Sequence, residues 1–175
     1  KSSPPPRYAE NLTCCVCMDE LPVDSGTFTR LACCGKGMHL HCDERVEGST
    51  MSRAQKNRCH ECRAEYPSSD EGNVKQVRLW VDKGKPWAQT NLASKYHFGK
   101  GVPQSYEKAI EYYNMAIKQG DPNAMYQLAA MYDQGEGVAK SLEKAAELYA
   151  LAAKQGHATA QHNLGVLYDD GNGFA

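Results

Sequence analysis

The sequence predicts two fold classes in one chain: a small zinc-stabilised domain, followed by an all-α helical-repeat solenoid. Two observations carry this reading. All eight cysteines fall between Cys14 and Cys62, several of them in C-x-x-C or H-x-x-C spacings. The cysteine-free remainder repeats its own residues at an offset of 36, as in Ala88, Ala124 and Ala160.

Composition narrows the function classes. Lys plus Arg number 20 and Asp plus Glu 21, so the chain offers no global field for nucleic acid or an anionic membrane surface. No apolar run approaches the roughly 18 residues that span a bilayer, so neither nucleic acid nor a membrane is expected as a partner. No signal peptide is visible, although the chain opens on Lys1 rather than Met, which leaves room for a natural upstream segment. Disulfides would explain an even cysteine count but not the interleaved histidines. A reducing compartment, cytosol or nucleus, is therefore expected.

Residues 1–11 open with Lys1-Ser2-Ser3-Pro4-Pro5-Pro6, a Pro/Ser tract expected to stay extended and disordered. Residues 12–66 are rich in Cys and turn formers, with few periodic apolar positions. The metal-ligand candidates are Cys14-x2-Cys17, Cys33-Cys34, His39-x2-Cys42 and Cys59-x2-Cys62. A C-x-x-C knuckle aims two thiolates at one ion while backbone amides turn toward the sulfurs. Four such pairs suffice for two tetrahedral zinc ions. A domain near 55 residues cannot bury enough core to be comfortably stable, and structural metal makes up the deficit. Cys15 reads as a small buried thiol, while His41 and His60 could replace a neighbouring ligand only by breaking a spacing.

This ordering of ligands resembles a RING finger. The resemblance implies a cross-brace, with Cys14, Cys17, His39 and Cys42 on the first zinc and Cys33, Cys34, Cys59 and Cys62 on the second. It further implies that Val16 contacts an E2 ubiquitin-conjugating enzyme and that Arg63, directly after the last ligand, contacts E2 and ubiquitin. Three features depart from the family. The second pair is adjacent, with Gly35 beside it to supply backbone freedom; Lys36 stands where many members carry a His ligand; and His60 stands where a Pro usually helps form the E2 groove.

Tyr66 to Gly72 reads as a connector, and residues 74–175 as the repeat array. At the 36-residue offset Leu92, Leu128 and Leu164 coincide, as do Tyr96, Tyr132 and Tyr168, Gly99, Gly135 and Gly171, and Gly101, Gly137 and Gly173. Each unit reads as two helices. Helix A starts at Asp121-Pro122 in the middle unit, an N-cap acid before a first-turn Pro, and carries Ala124, Leu128 and Tyr132 on one face. The Gly135-x-Gly137 loop ends it. Helix B starts at Ser141, buries Ala145, Leu148, Tyr149 and Ala152, and ends at Gly156. One subtraction further, Val74 to Lys83 becomes a lone helix B shielding the first unit, with Gly84 in register with Gly120. The third unit supplies a helix A through Leu164, Leu167 and Tyr168, then stops before any helix B. The expectation is that the natural chain continues or that a partner covers this face.

These residues resemble Sel-one-like repeats, α-solenoid units related to tetratricopeptide repeats, which implies protein–protein scaffolding and no chemistry of its own. His97, His157 and His162 are expected at the surface. Asn91, Gln127 and Asn163, equivalent in helix A, are expected to bond the backbone of a neighbouring repeat. Eight ligands for two ions would close both metal sites, and the Gly-x-Gly loops are helix terminators rather than phosphate loops, so no catalytic side chain is assigned. The RING resemblance implies an E3 ubiquitin ligase, expected to position an E2~ubiquitin thioester while the repeats recruit a substrate or partner. The competing class is a non-catalytic interaction scaffold, which His60 favours and Val16 and Arg63 oppose.

Overall fold

The computed structural model describes residues 28–30, 37–39 and 67–169. Two short strands, β1 (Phe28–Arg30) and β2 (Gly37–His39), pair antiparallel with Phe28 opposite His39, Thr29 opposite Met38 and Arg30 opposite Gly37. Six helices follow: α1 (Asp70–Val81), α2 (Pro86–Phe98), α3 (Tyr106–Ile117), α4 (Pro122–Gln134), α5 (Leu142–Lys154) and α6 (Ala158–Asp169). Helices α2, α4 and α6 are the A helices; α1, α3 and α5 are the B helices. None is long and apolar enough to cross a membrane.

The helix ends follow from local chemistry. Ser105 and Ser141 cap α3 and α5 by accepting from the amides of Lys108 and Lys144. Pro86 and Pro122 occupy the first turns of α2 and α4, and Gly99 and Gly135 close them with φ of 67° and 77°. The first B helix starts four residues earlier than the sequence reading placed it. Ser69 accepts from the Gly72 amide at 3.1 Å, and Asp70 and Glu71 sit in the positively polarised first turn. The stretch read as a connector therefore supplies the cap and first turn of α1.

Packing repeats with the sequence. Ala88, Leu92, Ala93 and Tyr96 of α2 pack with Val74 and Val77 of α1 and with Ala109, Tyr113 and Ala116 of α3. One unit on, Met125 and Ala129 of α4 pack with Ala145, Ala146, Tyr149 and Ala152 of α5. Alanines at the helix crossings let backbones approach, and Tyr113 and Tyr149 fill the space between them. The second glycine of each loop has a steric reason. A Cβ on Gly101 would lie 2.4 Å from the Asp70 carbonyl carbon, and one on Gly137 would lie 2.3 Å from the Tyr106 Cβ. Asp70 and Tyr106 are themselves 36 residues apart, each the first residue of a B helix. The loop after each A helix thus seats on the start of the preceding B helix, and α1 is docked by the same contact as α3.

Asp121, the cap of α4, is buried, accepting from Thr90 Oγ1 at 2.9 Å and from the Asn123 amide at 2.9 Å. Burial pushes its carboxyl above the usual range, against the lowering effect of these hydrogen bonds. For an acid whose folded pKa is raised, folding takes up a proton. Stability is then greatest below the unfolded value and falls as pH rises through the folded one. Asp121→Asn keeps a capping oxygen without the buried charge, so it should leave the melting temperature at pH 7 unchanged or higher and flatten its acid-side pH dependence. Asp121→Ala should cost about 1–2 kcal/mol. Thermal melts across pH 3–8 check both.

Candidate functional site

Of the site residues read from the sequence, only His39 belongs to the described residues, through its backbone at the end of β2. Cys14, Val16, Cys17, Cys33, Cys34, Cys42, Cys59, Cys62 and Arg63 lie outside them. The strand pair nonetheless brackets the adjacent cysteines in the chain: Cys33 and Cys34 fall between Arg30 and Gly37, and His39 ends the return strand.

The helical array carries a groove that the sequence reading did not single out. It spans α1, α2 and α3, with a volume of about 380 Å³, and is lined by Arg78, Asp82, Tyr96, Lys108, Glu111 and Tyr112, with Val81 and Leu92 beneath. Tyr96 is its centre. The Tyr112 ring stacks on it with centroids 5.8 Å apart and planes 4° from parallel. Arg78 Nη2 donates to the Tyr96 hydroxyl at 3.0 Å, and Lys108 Nζ stands 5.2 Å over the ring. Burial pushes the Tyr112 hydroxyl pKa up, so this hydroxyl stays neutral at pH 7 as a donor and acceptor. Neither Arg78 nor Lys108 is paired with a carboxylate among the described residues.

Part of this arrangement is generic to the repeat and part is not. Lys144 stands 5.2 Å over Tyr132, one period after Lys108 and Tyr96. Asn114 and Leu148 occupy the positions equivalent to Arg78 and Tyr112, so the guanidinium and the stacked tyrosine pair belong to the first unit. Lys108 does lie on an exposed helix face, as its spacing predicts, but its ammonium is held over an aromatic ring rather than fully solvated. The pairing of Tyr112 with Tyr113 was the sequence signal for the groove. The Tyr113 ring enters the core, and the Tyr112 ring, about 100° around the helix, covers Tyr96.

Three sequence expectations need correction. His97 and His157 are buried, at 5% and 1% exposure, and only His162 is at the surface. His157 stands 36 residues after Asp121 and does the same work, its Nδ1 accepting from the Ala160 amide at 3.2 Å. His97 reaches across the repeat boundary to Glu136, with Nε2 and Oε2 2.6 Å apart, and stacks on Phe98 at 4.3 Å. A carboxylate can only accept, so Nε2 carries the proton. Asn163 donates to the Tyr149 hydroxyl at 3.3 Å, a side-chain partner in place of the predicted backbone one.

Antiparallel helix pairs stacked in 36-residue steps define an α-solenoid repeat protein. The Sel1 repeat profile matches residues 88–121, 122–157 and 158–175, just over half of the chain, and the protein belongs to that family. A Sel1 repeat protein from Oxalobacter formigenes is 32% identical with a TM-score of 0.57, the match covering 59% of this chain and 42% of that one. The c5321 protective antigen of uropathogenic Escherichia coli, which displays an SLR fold, is 32% identical over 58% of this chain and 30% of its own, with a TM-score of 0.36. Helicobacter pylori cysteine rich protein B is 23% identical over 53% of this chain and 69% of its own, with a TM-score of 0.49. The chain spans less than half the length of the first two. No curated protein sequence matches.

Proposed function

We propose that the protein is a protein-interaction scaffold whose first repeat receives an extended, acidic segment of a partner. The observation that carries this is the Tyr96–Tyr112 stack set between Arg78 and Lys108. Stacked rings supply rigid apolar area at low entropic cost, and Arg78 keeps guanidinium donors beyond the one spent on Tyr96. A carboxylate arriving between the two cations finds charge-assisted donors on a desolvated floor. Asp82 and Glu111 at the rim would repel a second acid and so restrict where the partner's charge can sit.

The test is direct. Partners cross-linked to the chain in cells, identified by mass spectrometry and then purified, should bind the wild-type protein and lose at least about tenfold in affinity to Arg78→Glu/Lys108→Glu. Both positions are exposed, so circular dichroism should report an unchanged fold. Equal affinity for wild type and variant would move recognition off this groove.

A second reading adds ligase activity. What supports it is the sequence: the donor set of seven thiolates and one imidazole, in paired spacings, suits two structural zinc ions. Cys14, Cys17, His39 and Cys42 would hold one, and Cys33, Cys34, Cys59 and Cys62 the other, the metal supplying fold stability only. On this reading the purified chain accelerates ubiquitin discharge from an E2 through Val16 and Arg63. If no E2 from a broad panel responds, and His60→Pro does not rescue discharge, the scaffold reading stands alone.

A further inference from the structure

The large exposed apolar side chains of the B helices fall at one repeat position. Leu79 of α1 is 61% exposed, Met115 of α3 38% and Leu151 of α5 50%, each 36 residues after the last. A solvated helix face has no use for a large apolar residue at the same place in three successive units. Each is flanked on its own face, four residues before and three after, by a pair of opposite charges: Lys75 on α1 and Asp82 at its C-cap, Glu111 on α3 and Lys118 at its C-cap, Glu147 and Lys154 on α5. All six charged residues are exposed. The order of signs is inverted on α1 relative to α3 and α5, while the opposition within each pair is kept.

We propose that this row is a self-association surface whose occupant is a second copy of the chain. A two-fold axis running along the row stacks Leu79, Met115 and Leu151 on their own copies and turns each B helix antiparallel to its mate. The residue before each apolar side chain then faces the residue after it on the partner. Lys75 meets Asp82 of the other copy, Glu111 meets Lys118 and Glu147 meets Lys154, so every step is attractive. The inverted pair on α1 fixes the register. A slip of one unit brings Lys75 against Lys118 and Asp82 against Glu111, and a two-fold axis across the row brings Glu111 and Lys118 against themselves. An unrelated apolar partner would need neither the opposition within each helix nor the inversion on α1. Three apolar side chains per copy make a small interface, so the association is weak and reversible.

Sedimentation equilibrium of the full chain, from micromolar to submillimolar concentration, tests this. A monomer–dimer equilibrium is the expected result. Leu151→Asp should abolish it, and Glu147→Lys should weaken it by about tenfold, since each copy then sets two cations face to face. The double exchange Glu147→Lys/Lys154→Glu restores opposition within the homodimer and should recover affinity to within about threefold of wild type. A chain that stays monomeric throughout the range overturns the proposal. So does a dimer indifferent to Leu151→Asp, or one that the double exchange weakens as much as the single change; the former places the contact elsewhere on the molecule. Circular dichroism melts of each variant separate lost association from lost fold.

Discussion

Gly137→Ala should lower the melting temperature of the helical array by more than about 10 °C, several times the effect of Gly156→Ala. Both glycines have positive φ, 68° and 87°, so both substitutions carry the conformational term of about 1–2 kcal/mol for a side chain in the left-handed region. They differ in surroundings. Nothing lies within 4 Å of a Cβ at Gly156, whereas one at Gly137 would meet Tyr106 Cβ at 2.3 Å and Cγ at 2.4 Å. These atoms sit at the root of the Tyr106 side chain, so no rotamer change clears them and the loop must lift off the start of α3. Overpacking of this kind adds about 1–3 kcal/mol. Because each unit is stabilised by its neighbours, a break between the first and second units should also make the melt less cooperative. Equal melting temperatures for the two variants would mean that the loop has no seat on α3.

The repeat arithmetic that exposes the fold could have been carried further than the helical pattern alone suggested. The same subtraction of 36 from Ser141 and Ser105 lands on Ser69, the cap of α1. That start was hidden because Pro67, two serines and Gly72 read as a linker, when local hydrogen bonding at a cap uses the same residue types as a turn. His157 was hidden by the opposite error. A histidine without cysteine neighbours suggests a surface residue, but its register with Asp121 puts it at a buried cap where an imidazole nitrogen replaces a carboxylate oxygen.

The groove was less legible because it joins three helices. Lys108 and Tyr96 repeat with the period and so look structural, as Lys144 and Tyr132 show. What distinguishes the first unit is Arg78, and α1 has no complete unit of its own in which that residue would stand out against a pattern. A site made from departures between repeats is read by comparing equivalent positions across units. The same comparison reveals Leu79, Met115 and Leu151, which helical periodicity within a single B helix leaves unremarked beside the buried alanines.

On the proposed zinc cross-brace, metal analysis of protein purified without chelator should return two zinc ions per chain, and Cys59→Ser should lose zinc while the helical signal survives. The ligands all precede residue 63, and the described helices begin at Asp70 with their own cap, core and docking contacts. Structural zinc contributes on the order of 10–16 kcal/mol per site in model peptides, far more than a domain of about 55 residues can lose. Residues 12–66 should therefore become protease-sensitive in the variant, with the array after Pro67 still protected. Arg63→Ala separates metal from function: it should keep both zinc ions, since a guanidinium offers no lone pair, and yet reduce any E2~ubiquitin discharge by most of its rate. One zinc or none in the wild-type protein would remove the cross-brace. Helicity that collapsed with Cys59→Ser would make the two regions a single cooperative unit, and the array would then no longer count as an independent scaffold.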